Sequence, residues 1–265
     1  MDDETLRYSK QIILPGIGHE GQKRLKNAKI LVAGAGGLGS PALTYMAAVG
    51  VGTIGIADFD TVTLSNLNRQ TIYSTQDIGK RKTDVARDRL LLLNPGIEVK
   101  IHQTRINIDN VADLIMNYDV IIDATDNMPT RYLISDACYF SGKPLIEGAV
   151  NGYEGLLMTV PARNAPCYRC LYPMPPNDGI LPNCSNTGIL GATTGVIGSL
   201  QALEAIKIIL GIGETVSGRV LTFNALTSEF SEIKLDKNIN CPLCGNNPLI
   251  KELVEYETRC KTTGI

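Results

Sequence analysis

A glycine-rich run, Ile30-Leu-Val-Ala-Gly-Ala-Gly-Gly-Leu-Gly39, contains the residues whose type and spacing point most directly to chemistry. Gly34, Gly36 and Gly39 form the pattern Gly-x-Gly-x-x-Gly between an apolar stretch and a helix-like one. A strand that ends in such a turn lets a phosphate approach backbone N–H groups at a helix N-terminus. We expect Gly34 to permit the tight turn, Gly36 to leave room for the phosphate and Gly39 to let helix and strand approach closely. Alone, the pattern leaves a dinucleotide site, a mononucleotide site and a packing coincidence open.

Two aspartates follow predicted strands and would complete such a site. Asp58 lies at the end of the predicted strand 53–57, about 20 residues beyond the glycine run, where a carboxylate commonly holds a ribose hydroxyl; a turn aspartate is the alternative. Asp126 follows the predicted strand 119–123, and ligands of open parallel sheets bind outside the carboxyl ends of the strands. Beside a triphosphate, Asp126 would hold Mg²⁺, and the same residue could cap the following helix.

A polar loop at residues 60–70 supplies further candidate groups. It lacks helical and strand periodicity, and its polar side chains include Ser65, Asn66, Asn68, Arg69 and Gln70. Because these side chains are costly to bury unless they bind something polar, we interpret the loop as part of a binding site. Lys82 precedes a helical run at 83–93, where it would add positive charge to a phosphate site; an ordinary surface lysine is the alternative.

Four of the seven cysteines form two Cys-x-x-Cys pairs, Cys167–Cys170 and Cys241–Cys244. Each pair presents two thiolates to one ion, and four sulfurs make a closed tetrahedral Zn²⁺ site. A closed site has no open coordination position, so we expect a structural zinc that fixes the C-terminal part of the chain to the rest. A redox dithiol would instead require one such motif on a strand-to-helix turn, and zinc is therefore favoured.

The remaining cysteines and the histidines have less specific patterns. Cys184 lies unpaired in a proline-rich loop, where its thiol either reaches an activated intermediate or is an inert small hydrophobic group. Cys138 lies in an apolar helical pattern and is predicted to be a core residue, and Cys260 has no predicted role. His19 and His102 lie far from any second ligand pattern, and we interpret both as structural.

The elements that must position these groups alternate between strand and helix up to residue 150. Strands are predicted at 30–33, 53–57, 98–102, 119–123, 144–146, 153–160 and 219–223, and helices at 38–49, 83–93, 110–117, 129–140 and 193–210. The alternation predicts an α/β fold with a mostly parallel sheet and flanking helices, followed by strands outside that alternation. Segment 4–26 predicts one or two amphipathic helices broken at Pro15-Gly16, and the pattern alone makes Arg7 an ordinary surface charge.

Composition disfavours several function classes. The net charge is −2 at pH 7 and aromatic residues make up 5% of the 265 residues, so a nucleic-acid partner is disfavoured. No apolar run approaches the roughly 18 residues that span a bilayer. The polar start Met-Asp-Asp-Glu lacks the core of a signal peptide. We therefore expect a soluble cytoplasmic protein with no membrane partner.

Taken in order, these residues resemble the ThiF/MoeB family, the bacterial relatives of ubiquitin-activating enzymes. The resemblance extends from Leu6 to Cys244 and rests on Arg7-Tyr-Ser-Lys-Gln-Ile12, Gly34-Ala-Gly-Gly-Leu-Gly39, Asp58-Phe-Asp60, Ser65-Asn-Leu-Asn-Arg-Gln70, Lys82, Thr125-Asp-Asn127 and the two cysteine pairs. It implies a Rossmann-like fold with an antiparallel extension after about residue 150. It also implies one adenylation domain over residues 1–265, with a nucleotide-binding half (1–150), a zinc-containing carrier-binding half (151–250) and a tail (251–265).

The family adenylates the C-terminal Gly-Gly carboxylate of a small ubiquitin-like sulfur-carrier protein and releases pyrophosphate, in thiamine or molybdopterin (molybdenum cofactor) biosynthesis. The resemblance therefore implies ATP, Mg²⁺ and Zn²⁺ as cofactors. It implies nucleotide-binding roles for Gly34, Gly36, Gly37, Gly39, Asp58, Ser65, Asn66, Arg69, Gln70, Lys82 and Asp126. Among these, Asp58 would hold the ribose, Asn66, Arg69 and Lys82 the phosphates, and Asp126 the Mg²⁺.

The resemblance also implies partners. Arg7 is similar to the family arginine that reaches into the partner subunit's site, which implies a homodimer and replaces the surface-charge interpretation. Cys184 falls where the thiamine branch has a cysteine that links covalently to its carrier, although a cysteine also occurs there in the molybdopterin branch. The resemblance implies catalytic roles for Arg7, Arg69, Lys82, Asp126 and Cys184. The sequence shows no rhodanese domain, so a separate protein is expected to donate sulfur. The alternatives are an NAD-dependent oxidoreductase and a non-catalytic, zinc-stabilised ATP-binding scaffold.

Overall fold

The apolar runs of the sequence form the strands of one mixed sheet. The computed structural model describes residues 3–161, 163–175 and 188–256. Within them the strands are β1 (Lys29–Ala33), β2 (Thr53–Ala57), β3 (Glu98–His102), β4 (Val120–Asp123), β5 (Leu145–Asn151), β6 (Glu154–Val160), β7 (Arg219–Asn224) and β8 (Glu229–Lys234). Their order across the sheet is β3-β2-β1-β4-β5-β6-β7-β8, with β1 to β5 parallel and β6 to β8 antiparallel. The predicted α/β fold with an antiparallel extension is confirmed.

Helices connect the parallel strands at positions close to those predicted. In the described residues they are α1 (Asp3–Arg7), α2 (Ser9–Ile12), α3 (Gly18–Asn27), α4 (Gly39–Ala48), α5 (Lys82–Leu93), α6 (Val111–Met116), α7 (Met128–Ser141), α8 (Tyr168–Leu171) and α9 (Gly191–Leu210). The N-terminal segment differs from the prediction because it contains three short helices, although the break at Pro15-Gly16 is as predicted. Cys138 is buried in α7, as predicted for a core residue.

The antiparallel extension departs from the prediction in two places. β5 continues to Asn151, beyond the predicted segment 144–146, and β8 is absent from the prediction. Every residue of β8 is exposed, and this edge strand pairs with β7 alone. A strand that buries neither face lacks the alternation of apolar and polar residues from which strands are predicted.

Alternate residues of the parallel strands point to opposite faces of the sheet, and helices cover both faces. The first face packs through Ile30, Val32, Ile54, Leu43, Met46 and Ile197, and the second through Leu31, Ile121, Val111, Ile115, Leu133 and Ala137. The helices on the first face are α4, α5 and α9, and those on the second are α6 and α7. Burial on both sides explains why the central strands are continuous apolar runs.

Helix α9 has the length and apolar composition of a membrane span, and it is the one such helix in the described part of the chain. The sequence prediction that no apolar run approaches this length is therefore wrong for α9, which contains only two charged residues, Glu204 and Lys207. In the structure α9 packs on β4, β5, β6 and α4, with Ile197 and Ala205 in the core. Glu204 is buried and accepts hydrogen bonds from the Thr159 hydroxyl, at 2.7 Å, and a backbone N–H. These contacts make α9 a core helix of the sheet.

The strand order reverses at β1, which has β2 and β3 on one side and β4 and β5 on the other. Ala33, at the end of β1, is in register with Ala57 of β2 and Asp123 of β4. The turns that follow these three strands, including Gly34 and Asp58, therefore meet outside the same edge of the sheet. Ligands of open α/β sheets bind at such a reversal point.

Candidate nucleotide site and cysteine cluster

The glycine turn has the tight backbone conformation that the sequence pattern predicts. Gly34 has a φ of +93°, and a Cβ there would lie 2.7 Å from the carbonyl oxygen of Ala124. A Cβ at Gly39 would overlap the carbonyl oxygen of Gly34, so α4 can approach β1 this closely only with glycine at that position. The Tyr73 hydroxyl donates to the Ala35 carbonyl at 2.8 Å and thereby stabilises the turn. Burial, with the nearby Asp58 and Asp60 charges, raises the pKa of Tyr73, so this hydroxyl remains a neutral donor.

A cavity of about 1290 Å³ opens beside this turn. The predicted site residues that line it are Gly34, Gly36, Gly37, Asp58, Arg69, Gln70, Lys82 and Asp126. It extends past these residues to the face formed by β6, β7 and β8, where Glu154, Thr222, Phe223 and Ser231 line it. The cavity is larger than the roughly 300–1,000 Å³ of ordinary small-ligand pockets. One space therefore joins the carboxyl edge of the parallel strands to the antiparallel extension.

Asp58 is held in place by backbone amides. Its Oδ2 accepts from the N–H of Ala35 and its Oδ1 from the N–H of Asp60, both at 2.8 Å. Asp60 in turn forms an ion pair with Lys82, with 2.8 Å between Oδ2 and Nζ. The Lys82 side chain is 6% exposed, whereas that of Asp60 is 48% exposed. Lys82 is thus a nearly buried cation beside the cavity whose partner is open to solvent.

The polar loop divides into residues that line the cavity and residues that hold the loop. Gln70 is buried, and its Oε1 has no hydrogen-bond partner among the described residues. Arg69 donates to the carbonyl of Ser65 at 2.8 Å and to the side chain of Asn68 at 3.1 Å. Both Gln70 and Arg69 line the cavity.

Ser65 and Asn66 lie in a short 3₁₀ turn, Leu64–Asn66, and stay out of the cavity lining given by the described residues. Asn66 accepts from the N–H of Thr63 at 3.1 Å, and the hydroxyls of Ser65 and Thr63 lie 3.1 Å apart. Their side chains therefore cap the turn that precedes Arg69. Of the predicted loop motif, Arg69 and Gln70 line the cavity, whereas Ser65 and Asn66 lie in the turn before them and do not line it.

Asp126 lies exposed at the cavity, on the turn between β4 and α7. The helix cap that the sequence allowed for Asp126 belongs instead to Asn127, whose Oδ1 accepts from the N–H of Thr130 at 3.0 Å. Asp126 cannot take this place because the cap is the residue directly before Met128, the first residue of the helix. The Asp126 carboxylate thus remains free of the capping role.

Several residues that line the cavity were not identified from the sequence. Arg131, buried in α7, donates to the carbonyl of Thr125 at 2.7 Å. Arg105 places its guanidinium 4.5 Å from the centre of the Phe59 ring. An arginine within an otherwise apolar helical pattern is the sequence signal for Arg131, while Arg105 has none. Asp60 belongs to the quoted motif Asp58-Phe-Asp60 but had no assigned role.

Three predicted residues lie apart from the cavity or outside the described residues. Arg7 is exposed at the end of α1 and donates to the carbonyl of Leu93 at 2.9 Å. His102 lies 2.6 Å from the hydroxyl of Tyr118, and burial lowers its pKa, so the ring is neutral near pH 7. Cys184 lies outside the described residues, as does Cys260.

The two cysteine pairs converge on one point. Sulfur–sulfur distances are 3.9 Å for Cys167–Cys170, 3.6 Å for Cys167–Cys241 and 3.4 Å for Cys170–Cys244. A tetrahedral Zn²⁺ with bonds of about 2.3 Å requires sulfurs about 3.8 Å apart, so the cluster has the dimensions of such a site. Leu243, Tyr139 and Phe140 surround it with apolar groups.

Comparison with known proteins gives a consistent assignment. The chain matches the ThiF family over residues 8–243. It is 44% identical over 263 residues to a sulfur carrier protein adenylyltransferase of Thermus thermophilus, with 97% of each chain covered. It is 48% identical over 260 residues to an adenylyltransferase and sulfurtransferase MOCS3 of Culex quinquefasciatus, covering 98% of this chain but only 59% of that relative.

A solved structure shares the fold. The crystal structure of E. coli MccB with MccA-N7isoASN superposes with a TM-score of 0.79 at 22% identity, over 92% of this chain and 76% of that one. The family match covers almost all of the elements that build the cavity and three of the four clustered cysteines. On these grounds, the chain belongs to the ThiF family.

Proposed function

We propose that the chain is an ATP-dependent adenylyltransferase acting on the C-terminal Gly-Gly carboxylate of a small ubiquitin-like sulfur-carrier protein. A carboxylate oxygen attacks the α-phosphorus of ATP, the bond from that phosphorus to the bridging oxygen of the β-phosphate breaks, and acyl-AMP and pyrophosphate form. The observation that carries the proposal is the single cavity that joins the glycine turn and its charged residues to the face of β6, β7 and β8. Its volume suits a nucleotide and an extended peptide end together. The printed names of the two relatives favour the same reaction.

The glycine end of the cavity would hold ATP. We assign the turn at Gly34, Gly36, Gly37 and Gly39, together with Arg69, Gln70 and Lys82, to the phosphates, Asp58 to the ribose and Asp126 to Mg²⁺. Bound Mg²⁺ would supply further positive charge beside the phosphates. Since both reacting groups are anions, catalysis rests on positioning and charge neutralisation. A C-terminal carboxylate is already ionised near neutral pH, so no general base is needed. Ser65 and Asn66 would reach a phosphate only if their turn opened.

The other end of the cavity would hold the carrier. Here the rings of Phe223 and Phe230 stack with centroids 4.6 Å apart, beside the polar residues Thr222 and Asn224. A Gly-Gly end has no side chains, so it can run close to the backbone of the strands toward the nucleotide. We therefore keep the division expected from the sequence as part of the proposal, with the nucleotide on residues 1–150 and the carrier on residues 151–250.

Arg7 would act in the site of a second copy. In its own chain it lies on the surface and bonds to the carbonyl of Leu93 rather than lining the cavity. An exposed arginine can contact a neighbouring subunit, and Arg is well suited to bidentate phosphate contacts. We therefore propose a homodimer in which Arg7 adds positive charge to the partner subunit's ATP site.

The cysteine cluster would hold a structural Zn²⁺. Four sulfurs from Cys167, Cys170, Cys241 and Cys244 fill a tetrahedral shell, which leaves no position for a substrate. Zinc bound there would fix the segment after β8 to α8, the helix that follows Cys167. We further propose a cytoplasmic location, a separate sulfur donor, and a carrier of thiamine or molybdenum cofactor biosynthesis. A covalent link from Cys184 to the carrier remains part of this proposal.

The test is exchange of labelled pyrophosphate into ATP with a panel of purified carriers that end in Gly-Gly. We expect exchange with at least one carrier, and we expect Arg69→Ala and Asp126→Ala to lower it by at least about a hundredfold, since each removes charge that the transition state requires. The matched control is Arg87→Ala, a partly exposed arginine of α5 that pairs with Asp84 and Asp88 and does not line the cavity. ATP binding without exchange for every carrier would favour a non-catalytic scaffold.

A further inference from the structure

Two buried carboxyl groups lie directly behind the cavity. Asp123 ends β4, Glu147 is its register partner on β5, and both residues are fully buried. Both point to the side of the sheet covered by α7, because their neighbours Ile122 and Ile146 belong to the core of the opposite face. The mechanism proposed above uses neither group.

The charges around this pair do not balance if both carboxyls are ionised. The titratable groups that act on it are Arg131 and Cys138 of α7 and Tyr168 of α8, and of these Arg131 is the cation. Its Nη1 lies 3.4 Å from Glu147 Oε2. Two carboxylates and one guanidinium would leave a net negative charge in a buried place, which is costly.

The hydrogen bonds around the pair also argue against two ionised carboxyl groups. Among the buried side-chain atoms of the described residues, Asp123 Oδ2 and Glu147 Oε1 are two of the few that lack a partner. Two ionised carboxylates can only accept hydrogen bonds, so neither orphan atom could satisfy the other. One proton held between them would give both atoms a partner.

We propose that Glu147 is protonated in the folded protein and donates a hydrogen bond to the Asp123 carboxylate, and that this pair is a positioning device for the turn carrying Asp126. The proton belongs on Glu147 because Asp123 Oδ1 already accepts from the N–H of Thr125 at 2.8 Å and from its hydroxyl at 2.6 Å. Burial, together with the Asp123 charge, raises the pKa of Glu147 well above its ordinary value.

The turn is held by Asp123 of the pair and by Arg131, which contacts Glu147. Asp123 binds the N–H and hydroxyl of Thr125, and Arg131 donates to the carbonyl of the same residue at 2.7 Å. Arg131 also donates to the carbonyl of Gly148 at 2.9 Å, so it is anchored to β5 beside Glu147. Thr125 directly precedes Asp126, whose carboxylate is exposed at the cavity. The role of Asp126 toward Mg²⁺ rests on the proposed function, whereas the shared proton does not.

The proton is tested by unfolding the protein in denaturant at pH 5.5 to 7.5 without nucleotide, comparing wild type with Glu147→Gln. A carboxyl whose pKa is raised on folding releases its proton on unfolding, so stability falls as the pH rises from about 4.3, the ordinary pKa of Glu, toward the folded-state pKa. We expect the unfolding constant of wild type, relative to Glu147→Gln, to rise about tenfold per pH unit. The matched control, Glu204→Gln, removes another buried glutamate and should keep the wild-type slope.

Two outcomes would overturn the shared proton. One is an identical pH dependence of unfolding in wild type and Glu147→Gln. The other is a wild-type infrared spectrum at pH 7 without the C=O band of a buried protonated carboxyl, a measurement that needs no variant to fold.

The positioning role is tested by titrating Mg²⁺ in the pyrophosphate exchange assay. Glu147→Gln keeps a donor toward Asp123 and should retain the wild-type half-saturating Mg²⁺ concentration. Glu147→Leu removes the donor and should raise that concentration by about tenfold or more, the usual effect of losing a group that orients a metal ligand, with zinc content unchanged. Equal values for both variants would refute the positioning role. If wild type shows no exchange, the proposed function fails, while the unfolding and infrared results still decide the proton.

Discussion

Replacing Gly36 with alanine should abolish ATP binding without unfolding the protein. An ideal Cβ at Gly36 has the Gln70 side-chain nitrogen, at 3.7 Å, as its nearest neighbour, which is ordinary van der Waals contact. Its φ is not in the left-handed region, so alanine adopts the same backbone and should stabilise the fold by about 0.4–1 kcal/mol through the unfolded chain. Yet the new methyl group lies on the wall of the cavity where the phosphates must approach.

The size of the expected effect follows from the bonds that a displaced phosphate would lose. A hydrogen bond between a backbone N–H and a charged oxygen is worth about 1.5–3 kcal/mol, so losing two of them costs at least about 3 kcal/mol. That is more than a hundredfold in Kd for ATP, since each 1.4 kcal/mol corresponds to about tenfold. Gly34→Ala should behave differently, because a φ of +93° and the 2.7 Å approach to Ala124 impose strain on the folded protein itself.

Isothermal titration with ATP and Mg²⁺, paired with denaturant unfolding, separates these two effects. Gly36→Ala should raise the free energy of unfolding by about 0.4–1 kcal/mol and lose ATP binding, whereas Gly34→Ala should lose ATP binding and about 1–3 kcal/mol of stability as well. The control is Gly195→Ala in α9, where a Cβ meets no atom within 4 Å, and it should bind ATP normally. Wild-type ATP affinity in Gly36→Ala would refute the assignment of this turn to the phosphates.

Three further predictions concern the cations and the cysteines. Mixing inactive Arg7→Ala and Arg69→Ala proteins should restore about a quarter of wild-type exchange, because a mixed dimer has one complete site; no recovery would exclude action across the dimer. Lys82→Ala should weaken ATP binding less than Arg69→Ala in parallel titrations, since Asp60 already pairs with Lys82; the reverse order would refute this. Cys241→Ser should lower both the zinc content by metal analysis and the unfolding temperature by calorimetry, and full stability without zinc would exclude a structural ion.

The sequence predicts those parts of the fold and site that depend on local pattern. β2 and β3 have the predicted bounds because the buried β2 shows as a short, largely apolar run and the partly exposed β3 as alternating polar and apolar residues. The turn at Gly34 is predicted because only glycine tolerates both its φ and its close neighbour. Asp58 is found because it follows a strand end at a fixed distance from that turn.

The contacts that the sequence does not predict join residues far apart in the chain. Arg131 and Glu147 meet because α7 packs on the face of the sheet to which Glu147 points, and neither residue belongs to a motif. Ser65 and Asn66 are part of a motif, but only the structure shows that they cap a turn instead of lining the cavity. Motif membership identifies a segment, whereas the direction of each side chain depends on the backbone of the whole loop.

The cationic side chains at the cavity differ in how many hydrogen bonds and ion pairs they form with other residues. Arg131 is buried against the carboxyl pair and donates to two backbone carbonyls, so its charge supports the turn before α7. Lys82 has one partner, Asp60, whose side chain is 48% exposed, so a phosphate can compete with that carboxylate for the lysine. Arg69 bonds only to neutral oxygens among the described residues. Lys82 and Arg69 are thus available to the triphosphate of the proposed function, whereas Arg131 remains a structural part of the site.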